Sequence, residues 1–153
     1  MGRINAMALA LALAGCAAAP PGEAPAPQRE PGAPLSVLQP PAAARTVEEF
    51  DTTTAAQRAA ATRAPSTPEE MLGRTVASLG DPADPGFWAL TPLVSSVRQG
   101  RLVDPVTGFS VLVELRPRRA DPGAGTLVSL PALRALGVPL TALREIAVYS
   151  AGS

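Results

Sequence analysis

The clearest alternation of apolar and polar positions in the chain runs from residue 109 to residue 116. Phe109 and the apolar residues at every second position after it share one face, and the residues between them, of mixed polarity, share the other. This period of two, rich in β-branched residues, is typical of a half-buried strand. The preceding residues, 104–108, contain the Pro and Gly of a tight turn. The pattern therefore predicts a β-hairpin that begins near Gly100.

Shorter apolar pieces separated by Gly and Pro flank this hairpin. The segments predicted as strands are 75–79, 87–90, 126–130 and 145–149, with a break at Pro92, and the segment predicted as a two-turn helix is 131–137. Several short strands with one small helix over residues 74–153 predict a mainly β fold, a compact barrel. In so small a core the aromatic residues should carry much of the burial. These residues are Phe87, Trp88, Phe109 and Tyr149.

Residues 46–73 are predicted to form a helical spacer in front of the barrel. Thr46 and Glu49 fit a capping box, and the Ala-rich sequence that follows predicts a helix to about Arg63. With few large apolar residues, this helix is marginal unless it docks on another element. A second start signal at Thr67 predicts a further short helix that ends near Gly73. Whether the spacer packs on the barrel is a question for the structure.

Pro and Ala dominate the segment 16–45. Its last 29 residues contain eight prolines. Such a composition cannot bury enough apolar surface to offset the entropy of the chain. The sequence therefore predicts a disordered linker, partly polyproline II, that acts as a tether for the domain.

The N-terminus has the features of an export signal. An apolar run too short to cross a bilayer as a permanent helix ends in Leu13, Ala14, Gly15 and Cys16. These four residues resemble the lipobox of bacterial lipoproteins, in which the Cys is acylated and the peptide before it is removed. The resemblance implies a signal peptide over 1–15 and a membrane anchor of two or more acyl chains, which hold a protein firmly.

The residue after the lipidated Cys implies a location. Ala17, where an Asp would retain a Gram-negative lipoprotein at the inner membrane, implies passage to the outer membrane with the domain facing the periplasm. An ordinary secretory signal with a chance Cys at position 16 is the alternative.

Composition excludes several kinds of chemistry. The formal charge is balanced, with thirteen basic and thirteen acidic side chains, so no basic field for nucleic acid is expected. Every basic residue is Arg, and the absence of His removes the commonest general base and every imidazole metal ligand. A single Cys excludes a disulfide or a thiolate zinc cluster within the chain. We therefore predict no catalytic residue, no metal and no cofactor.

The order of elements in the C-terminal half resembles the double-psi β-barrel of the rare lipoprotein A type. The residues that carry the resemblance are Arg101, Leu102, Val103, Gly108, Ser110, Val111, Val113, residues 125–130, Leu136, Gly137, Ile146, Ala147 and Val148. Active members of this family are lytic transglycosylases that cleave glycan strands. They follow the second hairpin strand with an Asn-Asp-Arg-Gly-Pro motif, whose Asp takes part in catalysis, and they also use a His. This chain has Leu115, Arg116, Pro117 and Arg118 at the corresponding place and no His, so the resemblance transfers no catalytic residue.

Four side chains are candidates for ligand binding. Trp88 is suited to stack on a sugar, although an aromatic residue in so small a domain is more often part of the core. Arg116, Arg118 and Arg119 form a basic cluster suited to carboxylates or anionic head groups, with a merely solvated loop as the alternative. Glu114 is most simply a solvated strand residue.

The expected function is therefore non-catalytic binding or scaffolding at the envelope, with peptidoglycan or an envelope protein as the partner. One alternative is a weak glycan-cleaving enzyme that uses Asp104, Glu114 or Asp121. Another follows from short lipoproteins of this kind that carry a sugar-acid (galactarate) dehydratase label. That dehydratase family is metal-dependent, and nothing in this sequence matches its metal-binding chemistry.

Overall fold

The computed structural model describes residues 37–121 and 123–151. The predicted signal peptide, Cys16 and most of the predicted linker lie outside the described residues. The elements, in chain order, are α1 (Val47–Phe50), α2 (Ala55–Ala61), β1 (Glu70–Leu79), β2 (Trp88–Thr91), β3 (Arg98–Val103), β4 (Ser110–Pro117), β5 (Thr126–Val128), α3 (Leu130–Ala135) and β6 (Arg144–Ser150). The fold is mainly β with small helices, as predicted.

The six strands form one closed barrel in the order β1-β5-β2-β4-β3-β6. Strands β1 and β5 are parallel, as are β2 and β4, and the other four neighbouring pairs are antiparallel. If β1 is exchanged with β4, β2 with β5 and β3 with β6, the order of strands around the ring and the orientation of every neighbouring pair stay the same. The barrel therefore consists of two interlocked halves, β1 to β3 and β4 to β6, with the same topology. Closure leaves the sheet with no free edge strand.

The central hairpin has the predicted form. Strands β3 and β4 are antiparallel, with Val103 opposite Ser110 at the turn. The Asp104 amide donates to the Phe109 carbonyl, and the Gly108 amide donates to the Asp104 carbonyl. Gly108 has a φ of 75°, which a side chain would disfavour. Burial alternates along β4, so the period of two in the sequence is confirmed.

The core lies inside the barrel and is closed at one end by helix α3. Its largest fully buried side chains are Leu102, Leu115, Leu133, Leu136, Ile146, Val111, Val113, Val128 and Val148. Aliphatic residues thus dominate the core. The prediction that the aromatic residues carry much of the burial is wrong for Phe109, which is 56% exposed because it follows the turn and lies over Gly137 at the surface. Phe87 and Tyr149 are half-buried, and only Trp88 is fully buried.

The helical spacer differs from its prediction at two places. The single helix expected from Thr46 is two short helices, because Thr54 begins α2 with a capping box of its own to Gln57. The second helix expected from Thr67 is absent: strand β1 begins at Glu70 and pairs with β6. Backbone pairing with β6 therefore outweighs the local helix-start signal at Thr67.

The two helices pack on the barrel. Ala61 of α2 is buried in the core cluster, and the carboxylate of Asp51, after α1, lies 3.0 Å from the guanidinium of Arg134 on α3. The last part of the predicted linker joins this layer, since the Thr52 hydroxyl donates to the Leu38 carbonyl. Docking explains how two helices of four and seven residues are held, because neither is long enough to be stable alone.

Candidate binding groove

A groove of about 420 Å³ lies between helix α2 and the outer face of strand β4. Its lining residues are Val37, Thr53, Gln57, Ala60, Ala61, Pro85, Gly86, Phe87, Trp88, Gln99, Leu112, Val113, Glu114 and Arg116. The lining is mostly apolar with a few polar groups, which is the usual composition of a ligand site.

Both walls of the groove follow from local sequence. On β4, the residues that alternate with the core positions point outward and place Leu112, Glu114 and Arg116 along one wall. On α2, the lining residues Ala60 and Ala61 have short side chains, so the helix docks without filling the space above the strand. The groove therefore depends on the docked helix, and Thr53, Gln57, Ala60 and Ala61 are part of the site.

Arg116 is the centre of the charged part of the groove. Its Nε lies 2.6 Å from Glu114 Oε1 and its Nη1 lies 2.7 Å from Asp84 Oδ2. The guanidinium carbon lies 5.3 Å from the ring centroid of Trp88, within the range of a cation–π contact. The indole Nε1 of Trp88 donates to the carbonyl of Asp84 at 3.0 Å. These four residues form a fixed unit that joins β2, β4 and the loop before β2.

Glu114 is the only carboxylate among the described residues that line the groove. It lies directly across from Gln99 in the β3–β4 pairing, and both side chains border the groove. The Glu114 side chain is 40% exposed, so a ligand in the groove can reach it.

The sequence-predicted binding residues are only partly brought together. Trp88 and Arg116 meet in the groove, but the Trp88 ring is buried beneath Arg116, which leaves it little surface for stacking on a sugar. Arg118 donates to the carbonyls of Ala124 and Gly125 and holds the loop before β5. Arg119 is exposed in that loop. A ligand role for these four residues stays a prediction.

Sequence reasoning missed three groups of the site. Gln99 and Gln57 carry no motif, and Asp84 lies in a segment rich in Pro and Gly, 32 residues before Arg116. The sequence holds one signal for the ion pair: Glu114 and Arg116 are two residues apart, so they lie on the same face of the predicted strand.

The three carboxylates considered for glycan cleavage lie in different surroundings. Asp104 is buried, with Oδ1 accepting from the Val106 amide and Oδ2 3.7 Å from an Arg144 Nη1. Glu114 is held by Arg116, and Asp121 is exposed in the β4–β5 loop. Glu114 pairs with Gln99, which lies five residues before Asp104. The backbone positions of Glu114 and Asp104 are therefore roughly 16 Å apart along the hairpin.

Within the part of the chain that the structure describes, no group of three or more His, Cys, Asp and Glu side chains is arranged to hold a metal ion. In the same residues no helix has the length and apolarity needed to cross a membrane. Comparison with models of known protein families, with curated protein sequences and with solved structures gives no significant match.

Proposed function

We propose that this chain is a non-catalytic lipoprotein of the bacterial envelope whose barrel binds or scaffolds at the cell wall. The sequence supports the anchor: lipobox-like residues precede Cys16, which carries the acyl chains, and Ala17 directs the protein to the outer membrane. The ligand of the barrel is peptidoglycan, with an envelope protein as the other partner of this class.

The barrel topology supports a double-psi barrel of the rare lipoprotein A type. Its two parallel pairs, β1 with β5 and β2 with β4, are related by the internal exchange of halves described above. Interlocked parallel pairs of this kind are what the resemblance in the sequence implies.

One observation carries the non-catalytic assignment: Glu114 is the only carboxylate among the described lining residues, and Arg116 holds both it and the nearby Asp84. Glycoside hydrolysis by the usual route needs two carboxyl groups about 5 to 9.5 Å apart, one of them protonated to donate to the leaving oxygen. Here both carboxylates accept hydrogen bonds from Arg116, and neither donates one to any other described residue. Nothing in the groove favours the galactarate dehydratase alternative.

The test has two arms on the same purified chain. The chain with Cys16→Ser, which cannot be acylated, is sedimented with purified peptidoglycan, and soluble muropeptides are measured in the supernatant. Retention without release is expected. Release of muropeptides would contradict the proposal. If the chain is neither retained nor releases muropeptides, the partner is an envelope protein instead of peptidoglycan.

The anchor is tested separately by growing cells that express the chain with radiolabelled palmitate. Label is expected in the native chain and absent from Cys16→Ser. An unlabelled native chain would remove the lipoprotein assignment and would leave the peptidoglycan result standing by itself.

A further inference from the structure

We infer that the groove between α2 and β4 binds the ammonium group of an aliphatic amine or of a peptide side chain. This inference rests on the proposed function, because peptidoglycan stem peptides are one source of such amines. It goes further by naming the chemical group that the site selects.

The charge of the site is the first argument. Arg116 is the only cation among the described lining residues, and it is shared between two carboxylates, those of Glu114 and Asp84. The cluster therefore carries one excess negative charge. A cationic ligand compensates that charge, whereas a carboxylate or phosphate would add to it.

The free hydrogen-bonding groups are the second argument. Only Oε1 of Glu114 contacts Arg116, and the second oxygen accepts no hydrogen bond from the described residues. The side chain of Gln99, its cross-strand neighbour, makes none with those residues either. Directly opposed residues of an antiparallel pair have Cβ atoms about 5 Å apart, so one ligand nitrogen can contact both side chains. An ammonium offers three N–H donors for these two acceptor oxygens.

The donors of Arg116 point to the same ligand. Its Nε and Nη1 already donate to carboxylates, and its guanidinium lies over the Trp88 ring. Two of its three nitrogens are therefore engaged, which leaves the guanidinium less able to select an anion through two parallel hydrogen bonds.

The apolar walls define the rest of the ligand. Phe87 and Leu112 on the barrel and Ala60 and Ala61 on α2 surround the approach to Glu114. They suit the methylene stem of an amine, which buries its carbon atoms while its charged end reaches the carboxylate. A sugar carries hydroxyl groups and no positive charge, so it matches the anionic end and the aliphatic walls less well than an amine does.

The direct test is calorimetric titration of the full chain carrying Cys16→Ser with two capped peptides. One is acetyl-Ala-Lys-Ala-amide and the other is the same peptide acetylated on Nζ. The free amine is expected to bind about tenfold or more tightly than the acetylated form, as loss of one charged hydrogen bond implies. Equal or tighter binding of the acetylated peptide would overturn the inference.

Variants locate the site. Glu114→Gln, which keeps the shape and removes the charge, is expected to weaken amine binding about tenfold, and Gln99→Leu should weaken it through the other acceptor. Glu145→Gln is the matched control, since Glu145 is an exposed carboxylate paired with Arg74 away from the groove. If Glu114→Gln fails to fold, Gln99→Leu still decides the question, because unchanged binding by a folded Gln99→Leu places the amine elsewhere.

A second experiment separates this inference from the proposed function. The chain is sedimented with native peptidoglycan and with peptidoglycan whose amines have been acetylated. Retention on the native material alone supports both proposals, and equal retention on both keeps the proposed function and overturns the amine inference. Binding of the lysine peptide without retention on either material supports the ligand class and contradicts the cell-wall function.

Discussion

Arg101 and Glu69 form an ion pair inside the protein, with the arginine Nε 2.9 Å from Glu69 Oε1 and 3.1 Å from Oε2. Their side chains are only 5% and 11% exposed. A further bond from Arg101 Nη1 reaches the Ser110 hydroxyl at 3.3 Å. The pair connects the segment between α2 and β1 to the central hairpin, so it fixes where the docked helices meet the barrel.

Removing one partner of this pair should be strongly destabilising. Glu69→Ala leaves the Arg101 guanidinium buried without a counter-charge, for which a loss of about 3–5 kcal/mol is expected. The measurement is the free energy of unfolding from urea denaturation, extrapolated to water. Glu145→Ala breaks an exposed pair with Arg74, half of whose surface is open to solvent, and should change stability by about 1 kcal/mol or less. A loss for Glu69→Ala no larger than for this control would show that the buried pair is not needed.

A large-to-small change in the barrel core should also be costly, and its position matters. Leu133 on α3 is fully buried, so Leu133→Ala should cost about 2–5 kcal/mol through lost burial and the remaining cavity. Leu143 is 74% exposed before β6, and the same substitution there should be close to neutral. Thermal unfolding of the two variants side by side provides the comparison. Similar losses at both sites would contradict the placement of α3 over the barrel.

Much of the barrel could be predicted from the sequence because its strands carry their own signals. The alternation after Gly108 sets which side of β4 faces the core. Pro131 lies in the first turn of the small helix, and Gly137 follows its C-cap. These are local effects of turn chemistry and side-chain periodicity, and they act in the same direction as the tertiary structure.

The groove could not be predicted in the same way because it is made by distant segments. Thr54 and Gln57 cap a helix that is unstable by itself, and nothing in their neighbourhood indicates that the helix docks on β4. The ion pair of Arg116 with Asp84 likewise joins residues 32 positions apart. At strand β1 a local signal is present but does not decide the structure. The residues from Thr67 favour a helix start, and pairing with β6 outweighs this preference.

The acid dependence of stability should include a contribution from Glu49. Hydrogen bonds from the backbone amides of Arg45 and Thr46 hold the pKa of the Glu49 carboxyl below its ordinary value. A pKa that is lower in the folded than in the unfolded chain stabilises the fold above the ordinary Glu value. That stabilisation is lost as the pH falls through the folded pKa. The difference in melting temperature between the native chain and Glu49→Gln should therefore shrink as the solution is acidified across this range.

Glu48→Gln is the control for this pH series. Glu48 is its neighbour on the same short helix and its side chain accepts no hydrogen bond from the described residues, so this variant removes the same charge without touching the cap. A pH-dependent difference of equal size in both variants would assign the effect to the charge of the helix as a whole and would contradict a specific role for the capping box.

The last prediction concerns Gly100, which allows strand β3 to pass close to two of its neighbours. A Cβ added there would overlap Cδ1 of Leu115 and lie 2.5 Å from the carbonyl oxygen of Tyr149. Gly100→Ala should therefore force the barrel wall apart and cost about 1–3 kcal/mol. Gly123, whose added Cβ would meet nothing within 4 Å, gives the matched control, and Gly123→Ala should leave the urea midpoint nearly unchanged. If the two alanine variants unfold at the same urea concentration, β3 and β6 are not packed as closely as this barrel requires.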